Sequence, residues 1–191
     1  MEKFFSLVYR LRYIERWATS YCHVKENVAE HSFSVAIITY LLALYDVKIN
    51  HSSINPHQAA VCALFHDSFE CFSAHIVSPV KNSSGEAKCA FSQIRDTYSK
   101  RLLSSLPDEY QKFVEEDSFF VENDRVRELV GIADTIDAYI FCQFQIEHGN
   151  MDFKQKYSLM KGNICNLMKK ERIVTFFFEQ MCNMDKFEII Y

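Results

Sequence analysis

Four polar side chains interrupt segments of the chain that are otherwise apolar. His31 lies in ENVAEHS, His66 and Asp67 are adjacent in LFHDSFE, and Asp134 lies in GIADTIDAY. Buried carboxylates are costly without a partner, and a divalent cation is an economical way to satisfy several of them together. Two imidazoles and two carboxylates favour zinc, cobalt, manganese, iron or nickel over calcium. The pattern therefore predicts one divalent transition metal held by these four residues.

Glu70 follows the His-Asp pair at helical spacing, four residues after His66 and three after Asp67. On a helix such positions share a face, so this carboxylate is expected to reach a metal-bound water without being a ligand. Taken singly, each of these residues has an ordinary interpretation as a hydrogen-bonded core residue or a solvated helix residue. Their combination predicts a catalytic metal centre. Asp137, three residues after Asp134, is either a partner of the ligands or an ordinary polar residue.

The elements that must position these residues are predicted to be helices. The 191 residues include only 4 Gly and 3 Pro, too few turn formers for a β-rich protein. Apolar residues recur at three-to-four spacing, which indicates an all-α fold, with residues 1–191 as a single domain. Helices are predicted at 2–14, 27–46, 56–73, 86–105, 108–116, 124–148, 152–169 and 171–183.

Several residues mark the expected helix ends. Asn55 is a predicted N-cap before Pro56, Asp124 is expected to cap the helix that carries Asp134, and Gly149 is expected to end it. One face of the 27–46 helix is expected to be buried, and His31 lies on it with Val28, Val35, Ile38 and Leu42. The histidines in polar or terminal segments are expected at the surface: His23, His51, His57 and His148.

Composition excludes several classes of partner. The net charge is −4 without a dense Lys/Arg tract, so no duplex nucleic acid is expected to bind. No apolar run approaches the about 20 residues of a membrane span, and the start of the chain does not have the pattern of a secretory signal. The seven cysteines include no CxxC pair and are read as free thiols in a reducing compartment. A cytoplasmic protein that does not contact a membrane is expected.

The same residues resemble those of a known superfamily. A His, an adjacent His-Asp and a distant Asp, all on helices, form the motif of the HD-domain metal-dependent phosphohydrolases. The segments RLRYIERW, ENVAEHSFSVA, LFHDSFECFSAHIVSPVK and IADTIDAYI together resemble the bacterial 5′-deoxynucleotidases of that superfamily. The resemblance implies a helical HD-domain bundle that removes phosphate from deoxynucleoside 5′-monophosphates by attack of a metal-bound water. It also implies His31, His66, Asp67 and Asp134 as metal ligands and Glu70 as the acid/base.

Substrate contacts are implied by the same resemblance. Arg16 would meet the phosphate or sugar and Trp17 would pack on the sugar or base, while Ser78, Pro79 and Lys81 would belong to the segment that lines the nucleotide pocket. Without the resemblance, Arg16 has the ordinary interpretation of a salt-bridge partner and Trp17 that of a core or interface aromatic.

His75 departs from the family pattern. Close relatives carry an Asp at this position, which helps to hold the sugar 3′-hydroxyl and favours deoxyribose. Imidazole can hydrogen-bond a hydroxyl and can also carry positive charge beside phosphate, so His75 is read as a substrate contact that leaves substrate choice open.

Two other functions are weighed against the nucleotidase. One is a deoxynucleoside triphosphate triphosphohydrolase of the kind that phages encode, and the other is a catalytically silent HD-like module that binds a nucleotide or a partner. The resemblance also implies a homodimer. The aromatic-rich segment RIVTFFFEQM, residues 172–181, would either supply the apolar face for it or pack on the core of its own chain.

Overall fold

Helices joined by short connections make up most of the structure, a computed structural model that describes residues 3–114 and 123–182. Within those ranges the α-helices are α1 (Phe4–Val8), α2 (Val28–Ile49), α3 (Pro56–Phe65), α4 (Glu70–Ser73), α5 (Ser78–Lys81), α6 (Gly85–Leu103), α7 (Asp108–Val114), α8 (Asp124–Glu147), α9 (Lys154–Lys170) and α10 (Arg172–Gln180). Short 3₁₀ helices cover Tyr9–Tyr13 and Met151–Phe153. The predicted all-α class is confirmed. The predicted ends at residues 2, 116 and 183 lie outside the described residues.

The helix ends follow the predicted cap chemistry with one exception. The Asn55 side chain accepts hydrogen bonds from the backbone N–H groups of His57 and Gln58, as expected. Gly149 has a φ of +82° just beyond α8, which is the left-handed conformation that glycine adopts readily. The prediction that Asp124 caps α8 is wrong, because Asn123 is the N-cap and Asp124 is the first helical residue.

The predicted helix over 56–73 is interrupted at the His-Asp pair. α3 ends at Phe65 and α4 begins at Glu70, so the intervening residues form a turn. The Ser68 hydroxyl donates to the Phe65 carbonyl at 2.7 Å, and the Ser68 backbone N–H donates to the same carbonyl at 3.0 Å. Such local bonds compete with the helical pattern and end α3. His66 and Asp67 are therefore presented by a turn, contrary to the continuous helix that their spacing predicts.

The main core lies between α2, α3, α8, α9 and α10. α2 and α8 supply its centre, and the predicted inward face of α2 is confirmed, since Val28, His31, Val35, Ile38 and Leu42 are all buried. At the end remote from the functional site, Asp46 on α2 accepts a hydrogen bond from Arg125 of α8 at 2.7 Å. Arg125 also donates to Glu171, the residue before α10, at 3.0 Å. This cluster ties three elements of the core together.

α2 alone among the described helices is long and apolar enough to cross a membrane by length and composition. The expectation that no segment reaches that length is therefore wrong for α2. In this fold α2 packs against α3, α8 and α10, and it carries the buried polar residues His31 and Asp46 on its inner side. Core helices of soluble proteins meet the same two criteria.

The aromatic segment near the end of the chain packs on its own core. Ile173, Val174, Phe177 and Phe178 of α10 are buried in the main cluster. Of the two alternatives for this segment, the structure favours intramolecular packing over an apolar face for a second subunit.

Candidate active site

The four predicted metal ligands converge on one place. His31 lies in the first turn of α2, His66 and Asp67 lie in the turn after α3, and Asp134 lies in the middle of α8. Ligand atoms of His31, His66 and Asp134 all lie within 4.8 Å of one another. Asp67 Oδ2 is 3.8 Å from His31 Nε2 and 3.4 Å from His66 Nε2. The Asp134 side chain is 48% exposed, so the group opens to solvent on that side.

Both histidine rings are oriented through their Nδ1 atoms. His66 Nδ1 donates to the Ala63 carbonyl at 2.7 Å, and His31 Nδ1 contacts Asp137 Oδ2 at 2.6 Å and Arg16 Nη1 at 2.5 Å. The two Nε2 atoms are buried and make no well-aligned hydrogen bond among the described residues, and His31 Nε2 lies 3.2 Å from Asp134 Oδ1. Buried polar atoms are rarely left in this state, and a metal ion bound between the two nitrogens satisfies both. The residues present therefore fit a divalent transition metal.

The net charge of the site also favours a bound cation. Five carboxylates meet in and around the cluster, while Arg16 and Lys81 are the permanently charged cations that contact them; the five are Glu26, Asp67, Glu70, Asp134 and Asp137. With both ligand imidazoles neutral, as metal binding requires, the deficit of three charges falls to one when a divalent ion is bound. A cluster this acidic repels phosphate without such an ion.

The pKa shifts of the cluster residues also indicate that a positive charge is stabilised at this site. Burial would lower the pKa of His31, but the neighbouring Asp134 and Asp137 carboxylates outweigh it and raise that pKa to about 9. Loss of hydration would raise the pKa of Asp134, but the His31 ring, then His66 and Arg16, hold it below its usual range. Asp67 has a lowered pKa for similar reasons, because His66, Lys81 and His31 overcome its burial. Asp67 and Asp134 thus remain ionised and attract a cation, whereas burial raises the pKa of Glu26.

Arg16 is buried inside the cluster and does not extend into solvent. Its Nη1 atom donates to Glu26 at 2.7 Å and lies 3.4 Å from Asp137, and its Nη2 atom is 3.7 Å from Asp134. The backbone places it there, because the Arg16 N–H donates to the Glu26 carbonyl at 2.9 Å beside the antiparallel bridge between Glu15 and Asn27, directly before α2. The structure therefore favours the salt-bridge interpretation of Arg16, with Nη2 as the part nearest the predicted metal position.

Trp17 is part of an aromatic cluster within the protein. Its ring stacks on Phe141 with centroids 5.3 Å apart and meets Phe153 edge-on, while Nε1 donates to Glu26 at 3.2 Å. These contacts agree with the interpretation as a core aromatic. Contact with a sugar or base stays a prediction.

The segment that follows Trp17 is fixed to the end of α8. The His23 backbone N–H donates to Gln145 Oε1 at 3.0 Å, and Gln145 Nε2 donates to the Val24 carbonyl at 2.7 Å. Asn150 Nδ2 donates to the Tyr21 carbonyl at 2.9 Å. Gln145 and Asn150 are both buried. This anchoring holds the Arg16–Glu26 bridge beside His31.

Glu70 lies next to the metal ligands at the start of α4 and is fully buried, with 0% exposure. Ligand atoms of Asp67, Glu70 and His75 lie within 4.8 Å of one another, so the acid/base candidate adjoins the ligand cluster through Asp67. His75 Nδ1 lies 3.1 Å from Glu70 Oε2, and Lys81 Nζ donates to Glu70 Oε1 at 3.5 Å. The structure thus places His75 and Lys81 against Glu70, the predicted acid/base.

The predicted pocket segment is only partly turned toward this cluster. Lys81 at the end of α5 contacts Glu70, whereas Ser78 and Pro79 at its beginning are exposed. Contact of Ser78 and Pro79 with a nucleotide stays a prediction.

Sequence reasoning missed Glu26 and left Asp137 open. Glu26 accepts hydrogen bonds from Arg16 and Trp17, and Asp137 orients His31. A signal for Asp137 was present, since it follows Asp134 by three residues on one helix face. For Glu26 the sequence has no such signal beyond its place in ENVAEHS. Its partners Trp17 and Arg16 precede it by nine and ten residues, and neither lies in a helix. The four histidines expected at the surface are exposed.

Comparison with known proteins supplies a family match. Residues 3–184 match a family model described as "5′-deoxynucleotidase YfbR-like". A 5′-deoxynucleotidase of Pasteurella multocida is 35% identical over 87% of this chain and 84% of its own length. The 4′-phosphooxetanocin A phosphatase of Priestia megaterium is 32% identical over 89% of this chain and 87% of its own length.

Solved structures show the same fold. An HD-domain phosphohydrolase from Listeria innocua superposes with a TM-score of 0.77 at 22% identity, covering 93% of this chain and 85% of that one. A conserved hypothetical protein from Pyrococcus furiosus superposes with a TM-score of 0.66 at 24% identity, covering 93% of this chain and 96% of the other.

Proposed function

This chain belongs to the YfbR-like 5′-deoxynucleotidase family, and on that premise we propose that it hydrolyses deoxynucleoside 5′-monophosphates to a nucleoside and inorganic phosphate. It is a phosphoric ester hydrolase with the HD-domain fold. The observation that carries the proposal is the pair of buried Nε2 atoms of His31 and His66, which make no well-aligned hydrogen bond in the described structure and lie 3.2 Å from Asp134 and 3.4 Å from Asp67, respectively.

His31, His66, Asp67 and Asp134 would hold the metal. A divalent ion bound there supplies a water of lowered pKa and neutralises charge on the phosphate oxygens. Its identity among cobalt, manganese, zinc, iron and nickel is not fixed by these four ligands.

Glu70 is the base of the proposed reaction. Its carboxylate adjoins Asp67 and is shielded from bulk solvent, so it can take a proton from the attacking water as the oxygen–phosphorus bond forms. The bond between phosphorus and the 5′ oxygen breaks, and the leaving nucleoside oxygen gains the proton that Glu70 took from the water.

The available positive charge favours a monophosphate over a triphosphate. Arg16 already contacts Glu26, Asp137 and Asp134, and Lys81 contacts Glu70. Both cations are thus already paired with carboxylates, and the site keeps a deficit of about one charge with a divalent ion bound, so the about two further negative charges of a triphosphate are less well accommodated.

The direct test is hydrolysis of a panel of deoxy- and ribonucleotides, mono- through triphosphate, by protein loaded in turn with each of the five metals. Release of inorganic phosphate from deoxynucleoside monophosphates supports the proposal, and release of triphosphate identifies the phage-type activity. If metal-loaded protein binds nucleotides without hydrolysing any of them, the protein is the silent module.

A cytoplasmic homodimer completes the proposal. The seven cysteines are present as thiols, which is consistent with a reducing compartment. On α2, Phe33 and Ile37 are one turn apart and 64% and 49% exposed, which supports an interface on α2 in place of α10. Sedimentation of the protein and of Phe33→Glu tests this, because a dimer that uses α2 dissociates in the variant.

A further inference from the structure

His75 makes its hydrogen bond to the catalytic carboxylate and lies in a nearly buried position. Nδ1 is 3.2 Å from Glu70 Oε1 and 3.1 Å from Oε2, and the His75 side chain is 11% exposed. A carboxylate only accepts hydrogen bonds, so the proton of this bond resides on Nδ1.

Lys81 completes the surroundings of Glu70. Its ammonium group donates to Glu70 Oε1 at 3.5 Å and lies 4.5 Å from the centre of the Phe91 ring, whose face favours a cation. Glu70 therefore has two donors, His75 and Lys81, and both come from the segment after α4.

The backbone between Glu70 and His75 adopts an unusual conformation to achieve this. Ala74 has φ +59° and ψ 176°, a region that is almost restricted to glycine. Its N–H still donates to the Glu70 carbonyl at 2.9 Å, so α4 closes before the chain reverses. Such conformations cost free energy and persist where the surrounding structure requires them. The strain at Ala74 is what turns His75 back toward Glu70.

We infer that His75 is a positioning residue for Glu70: its Nδ1–H, with the ammonium group of Lys81, holds the carboxylate in the orientation that receives the proton of the attacking water. This inference rests on the proposed function and deepens it. It assigns His75 a role through Glu70 in place of a contact with the substrate sugar.

Asp67, Glu70 and His75 each have a possible ligand atom, and these three atoms lie within 4.8 Å of one another. They suggest a rival arrangement, in which the three residues hold a second cation. Lys81 argues against it, because its charge already lies 3.5 Å from Glu70 and would repel a further cation. The rival predicts two metal ions per chain, whereas the inference predicts one.

The kinetic test uses a pair of matched substitutions in the metal-loaded, full-length protein. Asn places an amide N–H near the position of Nδ1, whereas Gln places it near that of Nε2. His75→Ala and His75→Gln are expected to lower kcat about 10–100-fold, with KM changed less than about twofold. His75→Asn is expected to recover most of the loss. A rise in KM with unchanged kcat, or equal effects of Asn and Gln, overturns the inference.

A double-mutant cycle separates action through Glu70 from independent action. In a Glu70→Gln background, His75→Ala is expected to cause no further loss, because the group that it positions is already gone. A full additional loss in that background shows that His75 acts on the substrate itself.

Two further measurements do not depend on turnover. Long-range proton–nitrogen NMR spectra of the zinc-loaded protein are expected to show His75 protonated at Nδ1, and elemental analysis is expected to give one metal per chain. An Nε2-protonated His75, or a second ion that disappears in His75→Ala, overturns the inference. Failure of the proposed function is distinct, because the wild-type protein would then hydrolyse no nucleotide while the NMR and metal results stand.

Discussion

Asp137 accepts a hydrogen bond from His31 Nδ1 at 2.6 Å, although the two residues are 106 positions apart in the chain. This contact orients the His31 ring, whose Nε2 atom lies 3.2 Å from Asp134 Oδ1. A carboxylate in this relationship to a ligating histidine typically orients the ring and increases its basicity.

Replacing Asp137 should therefore weaken metal binding. We expect Asp137→Ala to raise the metal dissociation constant about 10–100-fold, because His31 loses its orientation and Arg16 loses one of its carboxylate partners. Competition with a chromophoric chelator measures this constant. The exposed Asp152 provides the control, since Asp152→Ala should leave it unchanged. Equal affinities for the Asp137 variant and the wild type would contradict the role of Asp137.

Glu70→Gln should separate turnover from metal retention. The amide keeps the shape of the side chain but does not accept the proton of the attacking water, so we expect kcat to fall at least about 100-fold. Because Glu70 is not among the four predicted ligands, elemental analysis should still find the metal. Asp134→Ala is the matched comparison and should lose the metal. Undiminished hydrolysis by Glu70→Gln would remove Glu70 from the reaction.

Ala74→Gly should stabilise the protein. Glycine adopts the observed φ and ψ without strain, so we expect a gain of about 1 kcal/mol in the free energy of unfolding despite the greater freedom of the unfolded chain. Ala90 lies exposed inside α6, and Ala90→Gly should instead cost about 1 kcal/mol. Chemical denaturation of the three proteins measures both changes, and a loss of stability in Ala74→Gly would show that the conformation carries no strain.

Asp46 should make a stability contribution that disappears in acid. Burial would raise the pKa of Asp46, but hydrogen bonds from Arg125, then Asn50 and Ser52, overcome it and lower that pKa. A group whose pKa is lowered by folding stabilises the protein above its unfolded pKa, and the contribution is lost as the pH falls through the folded pKa.

We therefore expect Asp46→Asn to cost about 1–3 kcal/mol near neutral pH and progressively less below about pH 4. Denaturation curves of both proteins at several pH values measure the difference. Asp96, which pairs with Arg95 at the surface, is the control, since Asp96→Asn should change stability by less than about 1 kcal/mol. A difference that stays constant into acid would contradict the linkage to Asp46.

The sequence was most informative where a local pattern decides the structure. The apolar face of α2 places His31 inside, and the cap at Asn55 starts α3, because both depend on neighbours within one or two turns. The break before Glu70 was missed, since the apolar spacing continues through it while the side chain of Ser68 ends the helix. The surroundings of Arg16 could not be predicted from the sequence, because its partner Asp137 is brought to it by the tertiary packing of α8.

The turn between α3 and α4 has a consequence for how this enzyme could change. Residues 66–69 include two predicted ligands, His66 and Asp67, and connect directly to Glu70, the predicted proton acceptor. No helix lies between the ligands and Glu70. A substitution that alters the geometry of this connection shifts metal affinity and proton transfer together. Residues after Ala74 do not belong to this turn. Substitutions there can change the rate of proton transfer without changing metal affinity.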